Sequence, residues 1–75
     1  MIKIWVIYER TTDFPDAAFV MREHHIKGGK PREVRPTEHF YTGDSLAELR
    51  RQVPAGRQRV PRTDDDEPQI VEWWF

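Results

Sequence analysis

The fold is decided by residues 2–8, IKIWVIY, in which every side chain except Lys3 is apolar or aromatic. A continuous apolar run of this length, rich in β-branched and aromatic residues, is typical of a strand that is buried on both faces. We therefore predict that residues 2–8 form the central strand of a sheet.

The stretch PQIVEWWF, residues 68–75, has the same character and is predicted to be the last strand. Because side chains alternate along a strand, its two faces carry different sets of residues. One face holds Val71, Trp73 and Phe75, and the other holds Ile70, Glu72 and Trp74. Both faces are largely apolar, so a sheet built on these two strands needs cover on both sides.

Two further strands are predicted between these stretches. Residues 17–26 (AAFVMREHHI) form a hairpin with the first strand, and residues 37–43 (TEHFYTG) carry enough β-forming side chains for a third. The KGGKP sequence at 27–31 separates them, because glycine and proline interrupt strands.

One helix is predicted after the third strand. Ser45 and Glu48 have the S-x-x-E spacing of a capping box, which marks a helix start. Leu46, Leu49 and Val53 then follow at helical spacing and form one apolar stripe. Arg50 and its polar neighbours are expected to face water, and Pro54 ends the helix.

These elements place the protein in the α+β class, with the order β-β-β-α-β. We predict one helix packed on a mixed or antiparallel four-stranded sheet, with strand order 4-1-2-3. The crossing from Pro54 to Pro68 is expected to be irregular, with a short extended piece at residues 58–60, and it leaves the direction of the last strand open. Residues 1–75 are interpreted as a single domain.

The composition indicates a protein that needs a partner. A chain of 75 residues buries a small core, and without cysteine it has neither disulfides nor thiolate metal sites to reinforce it. The helix is expected to cover one sheet face, formed by Ile4, Val6, Val71 and Trp73. The other face is then the protein interface, formed by Trp5, Ile7, Ile70 and Trp74. The predicted function is a non-enzymatic interaction module that forms a homodimer or binds a protein partner.

The alternative interpretation of this predicted interface is internal cover. In that case the loop of residues 54–68, or the connection from Ile26 to Pro36, folds over it within one molecule, and no interface is needed.

Nucleic-acid binding is the alternative function. The stretch from residue 50 to residue 62 contains arginines and no acidic residue, and if they meet in one groove they can bind phosphates. These arginines are Arg50, Arg51, Arg57, Arg59 and Arg62. A second basic stretch runs from residue 22 to residue 35, but the net charge of −1 gives no overall attraction to nucleic acid.

Metal and enzyme chemistry receive little support. His25, His39 and Glu23 can approach one another across a hairpin, but ordinary solvated polar residues are the favoured interpretation, and no metal or cofactor is expected. The acidic run at 64–67 lacks the ligand spacing of a calcium loop. Ser45 is the only serine and is explained as a helix cap, so no catalytic residue is predicted.

A cytoplasmic protein without membrane contact is expected, because residues 2–8 are too short for a membrane span and no signal-peptide cleavage site follows them.

The pattern WVIYE (5–9), LAELRRQVPAG (46–56) and IVEWW (70–74) resembles a family of small uncharacterised bacterial proteins. The resemblance covers nearly the whole chain and implies a complete bacterial protein. It implies no catalytic or binding residues, since that family has no assigned activity. The element order and the GDSL entry into the helix are also similar to HicB-type antitoxins, although the DNA-binding segment often found in those proteins has no counterpart here.

Overall fold

The computed structural model describes residues 2–28 and 33–75. In this part of the chain it has one helix and five strands, all in one sheet. The elements are β1 (Ile2–Glu9), β2 (Phe19–Lys27), β3 (Glu33–Gly43), α1 (Leu46–Gln52), β4 (Arg59–Pro61) and β5 (Ile70–Trp74). Every strand pairing is antiparallel, and the order is β3-β2-β1-β5-β4. The predicted α+β class is therefore confirmed.

The predicted sheet of four strands was one strand too small. The extended piece expected at residues 58–60 is β4, which pairs with the outer edge of β5, so that Arg59 lies opposite Trp74 and Val60 opposite Trp73. The four longer strands keep the predicted arrangement, with β5 and β2 on the two sides of the central strand β1. Most of the KGGKP break lies outside the described residues.

Helix α1 begins at the predicted N-cap, Ser45, although the Glu48 side chain bonds to the residue before the cap rather than to the cap itself. The hydroxyl of Ser45 accepts the Glu48 backbone N–H at 3.2 Å, and Oε2 of Glu48 accepts the backbone N–H of Asp44 at 2.8 Å. The helix packs close to the end of β3, because a Cβ atom on Gly43 would lie 3.0 Å from Glu48 Oε2 and 3.4 Å from the Leu49 side chain. Glycine at position 43 thus permits this approach.

The helix covers the sheet face opposite to the predicted one. Its buried residue Leu49 packs on Trp5, Ile7 and Met21, and Trp74 borders this cluster. We call this side of the sheet the helix face. The expected packing of α1 on Ile4 and Val6 is wrong: those side chains form a separate buried cluster with Ile70 on what we call the second face.

The position of Ile70 was also predicted wrongly, because the pairing of β1 with β5 is irregular. Ile7 lies opposite Glu72, but the next residue, Tyr8, lies opposite Ile70. Val71 is therefore an extra residue in β5, and such a bulge shifts the alternation of the strand by one. Ile70 consequently joins the second face, whereas Val71 packs against the helix-face cluster.

Part of the second face is covered within the molecule. Phe14, in the connection between β1 and β2, packs against Phe40 of β3 with ring centroids 5.3 Å apart. Asp66, in the connection before β5, accepts the indole N–H of Trp73 at 3.3 Å.

No helix in the described residues has the length and apolar character that crossing a membrane requires.

Candidate functional site

The most elaborate polar cluster surrounds Glu72, which lies on the helix face of β5 and is 0% exposed. Arg50 donates to its carboxylate twice, from Nε at 3.1 Å and from Nη2 at 2.7 Å. The Nε atom of Arg59 donates at 3.1 Å, and the indole Nε1 of Trp74 donates at 2.6 Å. A buried carboxylate needs such partners, because burial of an uncompensated charge is very unfavourable.

The ionisation of this cluster follows from its contacts. Burial alone would raise the pKa of Glu72, but the hydrogen bonds from Arg50, Arg59 and Trp74 outweigh it and leave the pKa below its ordinary value of 4.5. The same hydrogen bond to Glu72 raises the pKa of Arg50. Glu72 is therefore charged at neutral pH, and the cluster joins α1, β4 and β5.

The structure does not assemble the five arginines of the alternative function into one phosphate-binding groove. Arg50 and Arg59 come together, but their guanidinium groups are directed to Glu72. Arg57 donates to the backbone carbonyl of Lys3 at 2.9 Å. Arg62 lies near Asp66, whose pKa is lowered first by the Thr63 backbone N–H and to a smaller degree by this arginine. Arg51 lies exposed on α1.

The four side chains predicted to form a protein interface are divided between the two faces. Trp5 and Ile7 are 6% and 0% exposed and lie beneath α1. Trp74 borders the same cluster, and Ile70, 6% exposed, lies on the second face. The open patch expected from these four residues is therefore absent from the described residues, because the helix occupies the position predicted for a partner.

A different apolar row is exposed on the second face. Ile2 lies opposite Ile26, and Ile26 lies opposite Val34, so the three side chains cross β1, β2 and β3 in adjacent positions. Ile2 is 58% exposed and Val34 is 51% exposed. The sequence contains these residues, but their pairing depends on strand register, which could not be read from the pattern of apolar residues alone.

The row ends at the edge of the sheet. β3 pairs with β2 on one side, and within the described residues no strand pairs with its other side. Such an edge presents unpaired backbone N–H and C=O groups, which are available to another strand. Pro36 and an irregularity between Arg22 and His24 of β2 interrupt the regular ladder near the middle of β3.

The interpretation of the histidines and Glu23 as ordinary solvated residues is wrong for Glu23 and His24, which are buried because they lie in β2, an interior strand of the sheet. His25 and His39 both contact the buried carboxylate of Glu23, at 2.5 Å and 3.4 Å. Burial alone would raise the pKa of Glu23, but these histidine contacts lower it overall. His24 lies on the opposite face, near Tyr8. In the described part of the chain, no group of three histidine or acidic side chains is arranged to hold a metal ion.

Comparison with known proteins gives no further guide: no protein-family model, no curated protein and no solved structure matches this chain.

Proposed function

We propose that the protein is a self-association module in which two copies join along β3 and the exposed row of Ile2, Ile26 and Val34. The observation that carries this proposal is the alignment of the row with the sheet edge. Three apolar side chains lie side by side across three strands, and the last of them is on the edge strand. A strand added at that edge extends the row and covers apolar surface that is otherwise in water.

A second copy is the partner that this edge suits best. Most soluble oligomers are symmetric, and a two-fold interface requires a surface that is complementary to itself. Two identical antiparallel strands meet this condition, since each supplies donors and acceptors to the other. The net charge of −1 gives little repulsion between copies.

The interface proposed here replaces the one predicted from sequence while keeping the class of function. Nucleic-acid binding is not proposed, since Arg50, Arg57 and Arg59 already donate hydrogen bonds to other parts of the protein. An arginine that binds a phosphate would have to leave or share those contacts.

The experiment is light scattering combined with size-exclusion chromatography over a range of concentrations. The wild-type protein is expected to approach the mass of two chains as the concentration rises. Val34→Gln is expected to raise the dissociation constant about tenfold or more, as loss of an apolar anchor does. Tyr41→Gln is the matched control: Tyr41 is also on β3 and 41% exposed, but it lies on the helix face near Trp5.

Circular dichroism must show that both variants remain folded. A wild-type mass of one chain at every concentration would contradict the proposal. Equal weakening by the two substitutions would also contradict it, because the exposed row lies on only one of the two faces.

A further inference from the structure

A cavity of about 210 Å³ lies on the second face, beneath the connection between β1 and β2. Phe14 and Phe40 supply aromatic walls, and Val20 and Tyr8 line it from the sheet. Pockets that take drug-sized molecules measure about 300–1,000 Å³. This smaller space therefore fits a molecule with a single ring.

Tyr8 and His24 line this cavity and have only long hydrogen-bond contacts within the protein. His24 is 8% exposed, its Nε2 atom lies 3.4 Å from the Tyr8 hydroxyl, and its Nδ1 atom lies 3.3 Å from the backbone carbonyl oxygen of Arg22. The hydroxyl of Thr11 is buried and has no hydrogen-bond partner among the described residues. Because the oxygen of this hydroxyl has almost no accessible surface, it is closed off from the cavity and cannot contact a molecule bound there.

Arg22 supplies a positive charge at the same place. Its Nε atom donates to the backbone carbonyl of Thr37 at 2.7 Å, and its guanidinium lies 4.5 Å from the centre of the Phe40 ring. No carboxylate of the described residues forms an ion pair with it, and its terminal N–H groups are left for another acceptor. A planar guanidinium binds a carboxylate through two parallel hydrogen bonds.

We propose that this cavity binds a monocyclic aromatic carboxylate, whose ring packs on Phe14 and Phe40 and whose carboxylate accepts hydrogen bonds from Arg22 and from the Tyr8 hydroxyl. The neighbouring carboxylates limit the charge that a ligand can carry. Asp13 lines the cavity, and Glu67 is close enough to Tyr8 to affect its ionisation. They weaken the attraction of Arg22 for a single carboxylate and repel ligands with several negative charges more strongly.

Tyr8 and His24 remain neutral at pH 7. Burial, assisted by Glu67 and partly opposed by Arg22, raises the pKa of Tyr8. Burial lowers the pKa of His24. The tyrosine hydroxyl therefore keeps its proton and acts as a further donor, and Arg22 provides the positive charge of the cavity.

The test is a titration of the full ¹⁵N-labelled chain with benzoate, followed by amide chemical shifts. Saturable shifts are expected around Thr11, Phe14 and Phe40, and benzyl alcohol, which has the ring without the charge, is expected to bind at least about tenfold more weakly. Arg22→Gln is expected to weaken benzoate binding about tenfold or more, and Arg51→Gln, a change of an exposed arginine on α1, is expected to leave it unchanged.

Tyr8→Phe keeps the test decisive if Arg22→Gln fails to fold. Because the contact of the Tyr8 hydroxyl with His24 is long, at 3.4 Å, its removal is expected to change the stability of the free protein little. It is nevertheless expected to weaken benzoate binding, because the carboxylate loses a donor. Absence of saturable shifts with benzoate, equal binding of benzyl alcohol, or unchanged binding in a folded Arg22→Gln or Tyr8→Phe variant would overturn the proposal.

Discussion

Arg50 of α1 and Glu72 of β5 form a two-point ion pair, with Nε–Oε2 and Nη2–Oε1 distances of 3.1 and 2.7 Å. The arginine is partly in solvent, with 41% of its side chain exposed, whereas the glutamate side chain is entirely buried. The pair therefore connects the outside of the helix to the interior of the sheet. It also fixes the orientation of α1, because a fork-shaped contact requires both groups to lie in one plane.

Replacement of Glu72 by glutamine tests the importance of this charge. Glu72→Gln keeps the shape of the side chain but removes the negative charge that Arg50 and Arg59 share. We expect the free energy of unfolding to fall by about 2–4 kcal/mol, the range for a broken buried charge network in which the remaining charges are partly solvated. Urea denaturation measures the change. Asp65→Asn, in an exposed loop position, is the control, and equal effects of both substitutions would contradict this account.

The same network makes stability depend on pH. The pKa of Glu72 is lower in the folded protein than its ordinary value of 4.5, so folding favours the charged form. The stabilisation is complete above the ordinary pKa and is lost as the pH falls through the lower pKa of the folded state. Denaturation curves between neutral and acidic pH are expected to converge for the wild type and Glu72→Gln. Parallel curves would mean that other groups determine the acid sensitivity.

The two adjacent tryptophans are expected to respond differently to replacement by phenylalanine. Trp74 donates its indole N–H to the buried Glu72, whereas Trp73 donates to Asp66 in a loop. Trp74→Phe is expected to cost about 1–2 kcal/mol more than Trp73→Phe, because it leaves a buried charged acceptor without one donor. Thermal and urea unfolding of the two variants measure the difference. A larger loss for Trp73→Phe would reverse the assignment.

The helix cap gives a smaller, local effect. Ser45→Ala removes the side-chain acceptor of the Glu48 N–H and is expected to reduce stability by about 1 kcal/mol. Ser45→Asp restores an acceptor at the same position and is expected to recover most of that loss. If the aspartate variant is as unstable as the alanine variant, capping does not explain the contribution of Ser45.

The elements themselves were predictable where the local signal is strong. The apolar run at 2–8 is the central strand, and Ser45 begins the helix, because both depend on residues that are close in sequence. Strand β4 gave a weak signal: it has three residues and owes its position to pairing with β5. Propensity alone does not stabilise so short a strand.

The face covered by the helix was not predictable from the same pattern, because β1 is apolar on both sides. One residue does distinguish the two faces. Glu72 interrupts the apolar sequence of β5, and a buried carboxylate requires a cationic partner. Arg50 is on the helix and points to the same face, so the pair determines which side α1 covers.

The cavity next to Arg22 could not be predicted from the sequence either. It forms only where Thr11 and Phe14 come together in the fold with Phe40, which is far from them in the sequence.

The pairing of β1 with β5 also has a kinetic consequence. Trp5 lies opposite Trp74, so one of the four strand pairings in the described sheet, that of β1 with β5, cannot form until residues separated by most of the chain have met. Contacts of such long sequence separation slow folding, because the entropy of closing the loop is lost before the contacts form. During synthesis on the ribosome, one edge of β1 therefore stays unpaired until β5 has left the ribosome and can pair with it. In that interval, an apolar strand edge is exposed to aggregation and to chaperones.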